Sequence, residues 1–202
     1  MSQDHSLNPE TMPSMPERAT LEGKNKFMGL WFFLGGETVL FACLFGTYLA
    51  LKDSTAGGST SDELFGLGLV FFMTLLLLTS SLTSVYAMYH MRNNNFRQMM
   101  LWLGITGLLG IGFLACEIYE FAHYIIDYDF TFRSSFYAIV GFHGGHVIFG
   151  ICWLITLMVR NAKRGLNLYN APKFNTFSLY WHFIDVIWVF VFTIVYLMGK
   201  VV

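Results

Sequence analysis

Long apolar runs, broken only by short polar connectors, make up most of the chain from residue 24 onward. They lie at about 26–51, 64–90, 98–122, 134–160 and 176–199. Each exceeds the roughly 20 residues a helix needs to cross a hydrocarbon core. Backbone in lipid must satisfy its own hydrogen bonds, so the pattern predicts helices rather than irregular spans. The fold class expected is an all-α integral membrane protein, a single bundle of five transmembrane helices over residues 24–202.

The connectors have turn chemistry. Residues 52–63 read KDSTAGGSTSDE, residues 91–97 contain Asn93, Asn94 and Asn95, and 127–133 and 161–175 complete the set. Residues 1–23, with Pro9, Pro13 and Pro16 and no apolar core, read as a mobile cytoplasmic tail and not as a signal peptide. With the N-terminus inside, Arg18, Lys24, Lys26, Arg92, Arg97, Arg160, Lys163, Arg164 and Lys173 fall on the cytoplasmic side. Only Lys52, Arg133 and Lys200 fall outside, which by the positive-inside rule predicts N-in and C-out. The outer connectors are acidic instead, with Asp53, Asp62, Glu63, Asp127 and Asp129. Trp102, Trp181 and Tyr180 are expected at the inner headgroup level, where amphipathic rings are favoured.

Composition sharpens this reading. Of the 202 residues 55% are hydrophobic and only 12% charged, against about a quarter charged in soluble domains. A net charge of -1 gives no reason to expect a nucleic-acid partner. Cys43, Cys116 and Cys152 lie in separate apolar runs without a Cys-x-x-Cys, so no disulfide framework or cysteine metal site is indicated. Glycines at Gly104, Gly107 and Gly110, and at Gly141 and Gly145, have spacings that allow close helix contact.

Ionisable residues inside the apolar runs carry the functional question, because charge at mid-bilayer costs several kcal/mol and usually faces protein or water. They are Glu37 on the first helix, Glu117, Glu120 and His123 on the third, His143 and His146 on the fourth, and His182 and Asp185 on the fifth. Counting the helical rise puts Glu37, His143, His146 and Asp185 near mid-depth, the acidic group of helix three near its outer end, and His182 in the inner third.

Two readings compete. One is a metal site, since Glu120-x-x-His123 has the Glu-x-x-His spacing of di-iron bundles and His143-x-x-His146 and His182-x-x-Asp185 each set two ligand groups one turn apart. The other is a set of interhelical hydrogen bonds. Depth favours the second: the Glu120 and His182 pairs lie roughly 20 Å apart along the normal by helical rise, and Glu37 alone offers a further ligand at the level of His143 and His146. Bis-histidine haem ligation needs rings on opposite faces, and clusters need several thiolates. No metal and no catalytic residue is therefore assigned to this chain. Glu37 itself reads either as a neutral carboxyl hydrogen-bonded to a neighbouring helix or as a proton-exchanging or headgroup-facing acid. Arg92, Arg160 and Arg164 are candidates for holding lipid phosphates. A proton-coupled transporter would be expected to show internal repeats and broken helices, and neither is visible.

Helices four and five are specific enough to suggest a family. Residues 136–150 read FYAIVGFHGGHVIFG and residues 178–198 read SLYWHFIDVIWVFVFTIVYLM. These resemble the signature helices of cytochrome c oxidase subunit III. LGGETVLF around Glu37 resembles that family's helix with a mid-membrane glutamate, and CEIYEF resembles its helix with paired acids. The likeness covers about 24–200. It implies a subunit without haem or copper of its own, packed on a catalytic subunit I that holds both, in a bacterial plasma membrane. It further implies phospholipids in a cleft and support of sustained turnover by aiding proton entry.

Carried over by position, Glu37 matches the family's buried glutamate, and His143, His146, His182 and Asp185 match its signature polar residues. Glu117 joins them as a buried structural or proton-linked group. Longer members have seven helices, and this chain lacks the first two, as short bacterial forms do; an extended subunit I is the implied source of the missing pair. HMRN, RNAKRGLNLY and LYWHFIDV resemble the Gram-positive cytochrome c branch, with quinol oxidases and nitric-oxide-reductase assemblies as alternatives. A self-contained metalloenzyme using Glu37, His143 and His146 is the reading from a different class.

Overall fold

The computed structural model describes residues 20–51, 67–124, 130–163, 165–167 and 169–198, with the backbone alone at 67, 123–124 and 130–135. Five helices follow: α1 Leu21–Leu51, α2 Leu67–Arg92, α3 Phe96–Tyr124, α4 Phe130–Asn161 and α5 Ala171–Val191. A π-helical turn, Phe192–Leu197, continues α5. All five are long and apolar enough to cross a membrane. No strand occurs among the described residues.

Local chemistry explains the ends. The α2–α3 turn contains Asn94 at φ 54, a left-handed conformation that asparagine tolerates better than most residues. The Asn95 side chain then accepts from the Gln98 amide. Between α4 and α5, Gly165 takes a φ of 65. The Asn170 amide donates to the Gly165 carbonyl at 2.7 Å and to Asn161 at 3.3 Å, which draws the two helix ends together. Pro172 stands in the first turn of α5, where its missing N–H costs nothing. That helix starts at Ala171, ahead of the expected 176, because the proline initiates the helix rather than interrupting it.

α5 is the hub. α1 packs on α4 and α5, α2 on α3 and α5, and α3 on α4, so α1, α4, α3 and α2 form an arc around α5. Among the described residues α1 and α2, the two ends of the arc, are not packed closely on each other. Tryptophans of α5 bind it to α2: Trp181 Nε1 donates to Ser80 Oγ at 3.0 Å and Trp188 Nε1 to Thr74 Oγ1 at 3.1 Å.

The ring of Trp181 lies between two glycines. A β-carbon on Gly110 of α3 or on Gly150 of α4 would stand 2.8 Å from it. Trp181 and Tyr180 are thus fully buried among the helices, so both rings turn to the bundle and not to lipid. Their N–H and O–H find partners inside it. The glycine expectation is also redistributed. Gly107 and Gly110 do lie close to neighbours, but the close approaches on α4 are at Gly144 and Gly150, whereas Gly145 has open space beside it.

Candidate functional site

The sequence-predicted polar residues separate into distinct places. Glu37 and His146 come together across α1 and α4, with Oε2 3.0 Å from Nε2. Nδ1 of the same ring lies 2.7 Å from the Phe142 carbonyl. The carbonyl can only accept, so Nδ1 carries a proton. A neutral His146 therefore presents Nε2 as an acceptor, and the Glu37 carboxyl must donate to it; a doubly protonated ring would instead donate to a carboxylate. Tyr180 anchors the same turn by donating to the His146 carbonyl at 3.0 Å.

This pair lines a cleft of about 510 Å³ between α1 and α4, with Phe33, Phe142, Phe149 and Tyr180 as walls. Gly141 and Gly145 stand on its α4 side with Phe142, His146 and Phe149. Phe33, Phe149 and Tyr180 also line a second hollow of about 530 Å³ nearer the basic end, where Lys26, Arg160 and Lys173 converge. Together they form a cleft with three cations at its mouth and one carboxyl–imidazole pair deep inside. Arg160 is a candidate phosphate holder by its sequence. Lys26 and Lys173 count there only toward orientation, and nothing in their spacing tells that α1 and α5 bring them to Arg160. Arg164 lies outside the described residues. Arg92 lines a different groove.

His143 does not join His146. It is wholly buried on the other side of α4, its ring 5.2 Å from Trp188 and 5.9 Å from Phe113. His146 instead packs on Phe41 of α1 at 5.4 Å. Residues one turn apart share a face only loosely, and here they diverge toward α5 and α1. The geometry does not assemble the metal set of Glu37, His143 and His146. No three histidine, cysteine, aspartate or glutamate side chains converge among the described residues. The side chain of His123, the second member of the proposed Glu-x-x-His pair, lies outside them.

The other acids are buried between helices. Glu117 lies against Gly144 of α4, and neither of its oxygens has a hydrogen-bond partner among the described residues. Glu120 accepts from the Tyr196 hydroxyl at 3.1 Å. Tyr196 belongs to the π turn, and the neighbouring Val195 carbonyl accepts from Tyr48 of α1 at 3.3 Å. A π turn widens the helix and leaves carbonyls for outside donors, and Tyr48 uses one of them. Toward the basic end, His182 Nδ1 lies 2.7 Å from Ser81 Oγ and Nε2 lies 3.4 Å from Ser178 Oγ. Asp185 approaches Nδ1 only to 3.9 Å. Chemically, these groups can hold helices together and carry protons locally.

Comparison with known proteins agrees with the motif reading. The family model described as "Cytochrome c oxidase subunit III" matches residues 17–200. Cytochrome c oxidase subunit 3 of Bacillus sp. (strain PS3) is 66% identical, with all of both chains covered. The same-named protein of Bacillus subtilis (strain 168) is 64% identical over the full length of each. Quinol oxidase subunit 3 of Bacillus spizizenii is more distant, 46% identical over 88% of this chain and 89% of its own.

Proposed function

The chain belongs to the cytochrome c oxidase subunit III family, and from that premise we propose that it serves its oxidase as a lipid-holding brace beside the catalytic subunit. As subunit III of a haem–copper oxidase it works within a multi-subunit complex in a bacterial plasma membrane. Cytochrome c is the donor that fits best, because the relatives named for cytochrome c oxidase are far more similar to this chain than those named for quinol oxidase. Haem and copper are supplied by partner subunits.

The observation that carries the lipid reading is the α1–α4 cleft. Lys26, Arg160 and Lys173 suit an anionic phosphate at the interface, and the aromatic walls suit an acyl chain that ends near Glu37 and His146. The basic end is the cytoplasmic one by the positive-inside rule. There the subunit borders the water from which an oxidase draws its protons, so a rigid, lipid-filled flank supports proton uptake without conducting charge itself.

Purification of the complex in mild detergent tests the reading. Haem absorbance and a catalytic subunit should co-purify with this chain, together with retained phospholipid. Replacing Lys26, Arg160 and Lys173 together by glutamine should lower the retained lipid and shorten the period of sustained turnover, with the haem spectra unchanged. A colourless, stable homomer, or full lipid retention in the triple variant, overturns it.

A further inference from the structure

On the other side of α1, a second groove runs between α1 and α2. It exists because those helices pack on α5 from opposite ends of the arc and leave one strip of α5 uncovered. Leu179 and His182 are partly exposed there and Val186 is 54% exposed, a helical stripe that Val189 and Phe190 continue. Trp31 of α1 and Val85 and Tyr89 of α2 form its walls, and its volume is about 480 Å³. From Leu179 to Phe190 the strip is about 16 Å long by helical rise, half of a ~30 Å hydrocarbon core.

Its mouth carries Arg92, the last residue of α2. Arg92 is exposed and has no ion-pair partner among the described residues. Deeper in, the wall carries His182, and both its ring nitrogens already face serine hydroxyls of the bundle. A free guanidinium at the interface end and a largely apolar lane one leaflet long are the complement of an anionic amphiphile. A partner helix would bring no countercharge to Arg92 except by chance, whereas a phosphate is a good bidentate match for guanidinium.

We propose that the α1–α2 groove is a second anionic-phospholipid site, with the phosphate on Arg92 and an acyl chain along Leu179, His182 and Val186. It extends the reading of the subunit as a lipid holder but differs from the α1–α4 cleft in place and in residues.

Native mass spectrometry of the whole oxidase complex, re-lipidated with phosphatidylglycerol or with phosphatidylcholine, tests this. Arg92→Gln should retain one phosphatidylglycerol fewer than the wild type. Val85→Trp fills the groove from an exposed position without touching the charge, and it should lose the same lipid. Phosphatidylcholine should be retained less well than phosphatidylglycerol in the wild type, and inorganic phosphate should not displace the bound lipid. The triple glutamine variant of the α1–α4 cleft should keep this lipid, so failure of one site is read separately from failure of the other. Equal retention in the wild type, Arg92→Gln and Val85→Trp overturns the site, and equal retention of the two lipids overturns its anionic preference. Crosslinking of Val85→Cys to another subunit would make the groove a protein interface and overturn it as well.

Discussion

The carboxyl of Glu117 rests on the backbone of Gly144, so close that a β-carbon there would stand 2.5 Å from Oε1. Glycine at 144 is therefore the space that the α3 carboxyl occupies, and the bundle is built around a buried acid. Gly144→Ala should push the carboxyl off its seat and destabilise the subunit by about 1–3 kcal/mol, the range for an extra methyl in a packed interior. Glu117→Ala in the same chain should recover part of that loss, since the two residues touch and their effects should couple. Thermal melting of the detergent-solubilised complex for the four members of the cycle measures it; strictly additive effects would show that the contact is not the cause.

The Glu37–His146 pair separates two protonation patterns by substitution. If the carboxyl donates to a neutral ring, Glu37→Gln supplies an amide N–H in its place and assembly and melting temperature should stay near wild type. Glu37→Leu leaves Nε2 without its donor and should cost about 1–3 kcal/mol. Melting of both variants decides between the patterns, because an ion pair would make the glutamine variant nearly as costly as the leucine one.

Trp181 is held from three sides. Gly110→Ala and Gly150→Ala each set a methyl against its ring, and the ring cannot swing away without releasing Ser80. Either substitution should destabilise the subunit, again by about 1–3 kcal/mol. Gly145→Ala, with open space beside it, serves as the control and should be close to silent in the same melting assay.

Tyr196→Phe removes the hydroxyl that donates to Glu120. The glutamate loses its one described partner, and a loss of about 1–3 kcal/mol is expected for a buried acceptor left unpaired. Adding Glu120→Leu to the tyrosine variant should be less harmful than the tyrosine change suggests, since both partners are then apolar. Denaturation of the single and double variants compares them directly.

Much was legible along the chain. The five spans follow from length and hydropathy, and the helix ends lie within a few residues of their expected places. The starts of α1, at Leu21 against 26, and of α5, at Ala171 against 176, lie furthest off; at α5, Pro172 stands in the first turn, where a proline starts a helix. The motifs of helices four and five identified the family because they fix residue types at one-turn spacing. Pairings across helices were not legible. His143 and His146 look equivalent in the sequence, and Arg92 and Arg160 both read as phosphate holders, yet each pair divides between different faces or grooves.

By itself, the sequence determined that this chain crosses the membrane five times, belongs to its family and buries a handful of acids and imidazoles, since those properties depend on apolar length and local motif. Only the tertiary structure decided that Glu37 meets His146, that His143 turns toward Trp188, that Trp181 fills the gap between two glycines, and that α1 separates two grooves. The reason is rotational: hydropathy sets how deep a residue lies, but in helices apolar on every side it does not say which face meets which neighbour, and packing around α5 chooses that.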